Sequence, residues 1–159
     1  MKFISENIIE SVAEEIGQSE EHFKNATIEL QQEQPTIAGF IFSENFDLFT
    51  QAEKELLLFM VLVIFKSIKK ENGDLQNPDA EDLGKKEEKN WDLLNSVTAK
   101  KFRERMDIFF ENYHQEDLLA FVEDALTEED ESLVTKIGRE PMFVALKSII
   151  DCWCDSFEE

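Results

Sequence analysis

Leu56-Leu-Leu-Phe-Met-Val-Leu-Val-Ile-Phe65 is an unbroken apolar run, with Glu53, Lys54 and Glu55 before it and Lys66, Ser67, Lys69 and Lys70 after it. It falls well short of the ~20 apolar residues a helix needs to cross a bilayer, and it fits a helix sheathed by protein on all faces. A buried strand would carry the same composition. Thr50-Gln-Ala-Glu53 decides for the helix, because the Thr50 hydroxyl can accept the Glu53 amide while the Glu53 carboxylate returns to the cap. A helix that is apolar all round must be wrapped by others, so the flanking segments are expected to be amphipathic helices.

Working outward toward the N-terminus, Ile9, Ile16, Phe23 and Leu30 recur every seven residues, with Val12, Ala13 and Ala26 between them. This spacing predicts one long helix, with a break at Gly17–Ser19 as the alternative. Pro35 ends it. Ile37, Phe40 and Ile41 predict a short helix closing near Asn45, and Phe46 to Phe49 a turn tucked under the bundle. The central helix is expected from about Thr50 to Glu71, stopped by Asn72-Gly73.

Toward the C-terminus, Asp74 to Asp82 with Pro78 is aperiodic and reads as a linker. Trp91, Leu94, Phe102, Met106, Phe109 and Tyr113 predict a second long helix from about Ala80 to Tyr113. A short helix over Gln115–Ala125 has Leu118, Leu119, Phe121 and Val122 on its inner face. Thr127 is placed to cap a segment carrying Leu133, Val134 and Ile137, which Gly138 and Pro141 interrupt. The last helix, from about Pro141 to Ser156, buries Phe143, Val144, Leu146, Ile149, Ile150 and Trp153.

The two halves echo one another. Ile37-Ala-Gly-Phe-Ile41 matches Leu118-Leu-Ala-Phe-Val122, and Val63-Ile-Phe-Lys-Ser-Ile68 matches Val144-Ala-Leu-Lys-Ser-Ile149 at the same offset. The expected architecture is a soluble all-α bundle of about six helices, read as two duplicated three-helix units, 3–72 and 80–157, around a buried central helix with a 73–79 linker. Pro141 falls opposite Met60, so the second unit's apolar helix is expected to be broken where the first is whole.

At 159 residues and 42% hydrophobic content the chain is one domain with a sizeable core. Thirty-six acidic against 16 basic residues give a formal net charge of −20, which disfavours nucleic acids and anionic membranes as partners. Fourteen Phe against one Tyr and two Trp assign the aromatics mainly to the core. Two cysteines and an N-terminus without a continuous apolar leader predict a cytoplasmic protein with free thiols.

Chemistry-bearing motifs are thin. Glu111-Asn-Tyr-His114 would set a carboxylate and an imidazole on one helix face, but a di-metal bundle needs a second such pair, and His22 has Ser19 three residues before it. Cys152-Trp-Cys154 lacks the spacing of a zinc site and reads as core beside Trp153. The acids after Asn72 resemble a calcium loop, but Pro78 and Lys85 stand where ligands are required. No catalytic residue, metal or cofactor is therefore expected.

The feature that points to a partner is an acidic stretch of Glu116, Asp117, Glu123, Asp124, Glu128, Glu129, Asp130 and Glu131, without a Lys or Arg from Glu116 to Glu131. Helix N-termini favour some of these acids, and a solvated face accounts for such runs in general. The functional expectation is a non-catalytic interaction or regulatory protein that docks a basic partner protein there, in a sharper form a small acidic inhibitor of the immunity kind, with a homodimer as a further assembly. The alternative is an enzyme or a ligand- or metal-binding bundle with a pocket between helices near Glu111 and His114.

Overall fold

The apolar run lies within a 22-residue helix, α4 (Gln51–Asn72), in a computed structural model that describes residues 1–127 and 134–157. The capping box opens it. The Glu53 amide donates to the Thr50 hydroxyl at 3.1 Å, and the Thr50 amide donates to Glu53 Oε1 at 2.9 Å. Gly73 closes it at φ 87°, a conformation that a residue with a Cβ adopts only at a cost. Met60 to Phe65 are all buried, while Leu56, Leu58 and Phe59 are only partly so, which places the tightest sheath around the middle of the helix.

The other helices are α1 (Glu6–Gly17), α2 (Glu20–Glu33), α3 (Pro35–Ile41), α5 (Ala80–Asn95), α6 (Phe102–Phe110), α7 (Glu116–Thr127) and α8 (Lys136–Asp155), with a 3-10 turn at Glu44–Phe46. There is no strand among the described residues. α1, α2 and α8 pack on α4, α5 and α7 pack on α8, and α1 also meets α7. The two apolar helices touch through Phe65 and Trp153, whose ring centroids are 5.7 Å apart. Gln34, buried at the α2–α3 corner, accepts the Trp153 indole N–H at 2.9 Å and donates to the Leu75 carbonyl at 3.0 Å. A buried amide with both ends satisfied is the condition under which a polar group is tolerated in a core. It also ties down the expected linker, where Leu75 is buried and Asn77 accepts the Thr36 amide at 3.0 Å.

The described residues form eight helices and not about six, because both long helices expected from periodicity are broken. Ser19 has extended backbone and accepts the His22 amide at 3.1 Å, so it caps α2 and ends the continuous reading through Gly17. The second break lies at residues 96–101. Arg105 Nη1 holds that turn by donating to the Val97 and Ala99 carbonyls at 3.3 and 2.8 Å. α6 then ends at Phe110, and Asn112 takes a positive φ of 55°.

α8 departs in the other direction. It runs without a break from Lys136 through Pro141, capped by Thr135 and not by Thr127, which is itself helical within α7. Pro141 lies early in the helix, and the carbonyl deprived of its donor belongs to Ile137, which is exposed. Leu133, expected on this stripe, lies outside the described residues. Between α3 and α4, Phe46 is buried and stacks on Phe49 at 5.2 Å, but Leu48 points into solvent, so the turn is only half tucked.

Candidate functional site

The acidic stretch is rearranged by folding. Glu116 is exposed at the start of α7, while Asp117 Oδ2 accepts the Glu6 amide at 3.0 Å and so caps the first turn of α1, 111 residues away in sequence. Glu123 is buried and accepts from Arg103 Nη1 at 2.6 Å. Arg103 also reaches Asp124 at 3.3 Å and donates to the Thr127 hydroxyl at 2.8 Å. Burial outweighs the neighbouring guanidinium and pushes the Glu123 carboxyl above its usual range. A stretch without a cation in sequence therefore receives one from α6, and Glu123 faces the interior. Glu128, Glu129, Asp130 and Glu131 lie outside the described residues.

What remains of the expected face is a groove between α1 and α7 with a volume of about 460 Å³. Glu6 and Glu10 line it from α1, and Asp117 and Asp124 from α7. Ile9, Ala120, Phe121 and Ala125 give it an apolar floor. No cation lines it among the described residues. The spacing of Glu6 and Glu10 from the apolar Ile9 was visible in the sequence, but nothing there placed α1 beside α7.

A second pocket, also about 460 Å³, lies where α5, the end of α6 and α8 meet, and Glu111 and His114 line it. They do not form a helical pair, because α6 has already ended; His114 Nε2 instead lies 3.1 Å from the Met1 carbonyl. The polar groups that organise this pocket are others. The Lys147 ammonium donates to Asp151 Oδ1 and Oδ2 at 3.0 and 2.8 Å and to Asn90 Oδ1 at 3.3 Å, and lies 4.5 Å from the centre of the Tyr113 ring. Asn90 Nδ2 donates to Ser148 Oγ at 3.0 Å and Asp151 Oδ2 at 3.1 Å, and the Tyr113 hydroxyl donates to Asp151 Oδ1 at 2.7 Å. Burial first, then the Asp151 charge, drives the Tyr113 phenol far above its ordinary range, so it stays a hydrogen-bond donor. Lys147 and Asp151 stand one helical turn apart, a signal present in the sequence; Asn90 and Tyr113 had none.

Cys152 is buried and Cys154 partly so; both thiols are free, and burial pushes each up to about 12. Among the described residues no cluster of three or more His, Cys, Asp or Glu is placed to hold a metal ion, and no helix is long and apolar enough to cross a membrane. Comparison with protein-family models, with curated proteins and with solved structures finds no match to this chain.

Proposed function

We propose that this chain is a non-catalytic interaction protein whose α1/α7 groove takes a basic amphipathic segment of a partner protein. The observation that carries the reading is the combination in that groove: an apolar floor of Ala120, Phe121 and Ala125 beneath four carboxylates, with no cation lining it among the described residues. Apolar anchors supply affinity and complementary charge supplies encounter rate and register, and a helix laid in a groove uses both. A net charge of −20 attracts any cation, so the test has to separate groove from field. A fluorescent amphipathic Lys/Leu peptide and a scrambled peptide of the same composition serve as probes in an anisotropy titration. The amphipathic peptide is expected to bind more tightly, to weaken with added salt, and to lose most of its affinity to Ala120→Arg. Equal binding of the scrambled peptide, or undiminished binding to Ala120→Arg, overturns the reading. In its sharper form the protein is an inhibitor that covers a partner's basic site.

The pocket at Tyr113 carries the second reading, a small-ligand site. A part-buried pair of Lys147 and Asp151 is no efficient source of stability, and it lines a cavity of ligand size. Its hydrogen bonds are closed within the protein, which is what packing specificity alone would require. That ranks it second. We also propose the internal duplication, now as four-helix units: α1–α4 and α5–α8 each end in a long apolar helix, and the sequence echo pairs α3 with α7 and α4 with α8.

A further inference from the structure

We propose that the pocket formed by the 96–101 turn, α6 and the first turns of α8 binds the phosphate group of a small organic phosphate. It stands apart from the acidic groove. In a chain with 36 acids and 16 bases, this pocket gathers Lys100, Arg105, Lys136 and Arg139 against a single carboxylate, Glu140. Arg105 is already committed, since its guanidinium donates to Glu140 and to the Val97 and Ala99 carbonyls. Lys100, Lys136 and Arg139 have no ion-pair partner among the described residues. Exposed lysines such as Lys24, Lys70 and Lys89 are likewise without an ion pair among those residues, but they stand singly; what sets this pocket apart is that its cations converge on one cavity and that one of them, Arg139, is partly buried.

Three unpaired like charges around one cavity repel, and a protein this rich in acid had many carboxylates with which to neutralise them. An anion bound between them removes that repulsion. The guanidinium of Arg139 is held 6.0 Å from the centre of the Phe102 ring, and its Nε is buried without a hydrogen-bond partner. A guanidinium that makes no hydrogen bond among the described residues can turn its donors to a tetrahedral oxyanion, and two lysines beside it add point charge. The N-terminus of α8 contributes little, because Glu53 already accepts the Thr135 amide and hydroxyl there. The pocket volume of about 530 Å³ far exceeds that of a bare phosphate, and with Phe102 and Thr98 in its lining it leaves room for an organic body on the ligand.

Calorimetric titration of the full chain at fixed ionic strength tests this, with adenosine 5′-monophosphate, glucose 6-phosphate, inorganic phosphate and adenosine as probes. At least one organic phosphate is expected to bind saturably and more tightly than inorganic phosphate, and adenosine not at all. Arg139→Gln is expected to weaken that binding about tenfold or more, the loss of a charged hydrogen-bond donor. Lys136→Gln, at an exposed position, should weaken it severalfold and serves if Arg139→Gln melts early. Lys24→Gln, at an exposed position on α2 that lines no part of this pocket, should leave it unchanged. No saturable binding of either organic phosphate, or parental affinity in both cation variants, overturns the site. Inorganic phosphate binding as tightly as the best organic phosphate overturns the organic ligand.

Discussion

Glu53 is a buried carboxylate with both oxygens occupied. Oε1 takes the Thr50 amide, and Oε2 takes the Thr135 amide at 3.3 Å and its hydroxyl at 3.1 Å, so one side chain caps α4 and fastens the start of α8 to it. A Cβ at Gly138 would stand 1.9 Å from that Oε2. Gly138→Ala must displace the carboxylate, and losing its hydrogen bonds costs ~1.5–3 kcal/mol. Alanine's better helix propensity returns at most ~1 kcal/mol. The loss wins, and the melting temperature is expected to fall by several degrees in calorimetry. Gly39→Ala is the control: the site is open and exposed in α3, so the same substitution should stabilise slightly. The Thr50/Glu53 half of this arrangement was legible as a capping box; the reach to Thr135 was not, since no local pattern connects residues 82 positions apart.

The cysteines give a pH dependence with a definite sign. Burial holds the Cys152 and Cys154 thiols protonated up to about 12, whereas an unfolded thiol ionises near ~8.5. Above that value the unfolded chain releases protons that the folded chain keeps, so stability falls as pH rises from about 9 toward about 12. The raised Tyr113 phenol acts in the same direction. Urea midpoints should drop between pH 8 and pH 10, and Cys152→Ala should flatten the slope. At pH 8 a thiol reagent should label both cysteines only slowly until denaturant is added.

At the scale of elements, α4 separates two substitutions that the bare sequence treats alike. Val61 is fully buried, and Val61→Asp leaves an unpaired charge in the core, expected to cost several kcal/mol. Leu58 is only half-buried near a shallow surface pocket, so Leu58→Asp can turn its carboxylate toward water and should cost markedly less. Equal melting points for the two variants would show that α4 is not sheathed as described. Apolar periodicity located these helices but not their interruptions. A heptad stripe passes smoothly through Gly17–Ser19 and through residues 96–101, because the stripe records burial and the breaks are made by local hydrogen bonds. At Ser19 the capping acceptor was readable beside the glycine. At 96–101 the deciding group is Arg105, whose carbonyl partners become apparent only once the chain has turned. Pro141 misled in the opposite sense: an early helical turn with an exposed Ile137 tolerates the lost bond.

At the scale of the whole molecule, the candidate groove shows why charge read along the sequence transfers poorly to a surface. Asp117 and Asp124 reach it, but Glu123 turns inward to Arg103, and half the carboxylates come from α1. Proximity in space mixed helices that sequence order keeps apart, and one guanidinium from α6 redistributed the rest.

The remaining net charge sets a global prediction. Local ion clusters such as Glu29 and Glu33 around Lys69 are short-ranged, at 2.7 Å, and resist screening, whereas the surplus of acids acts over longer distances. The Debye length is ~30 Å at 0.01 M and ~10 Å at 0.1 M salt, so that addition screens repulsion across the surface while leaving contact pairs largely intact. Sodium chloride should therefore raise the melting temperature between these concentrations, and a fall would mean that ion pairs, not repulsion, dominate. Phosphate adds an internal comparison. At matched ionic strength the organic phosphate should give a further increment in the parent chain and a clearly smaller one in Arg139→Gln, since only a specific site survives once the general field has been equalised.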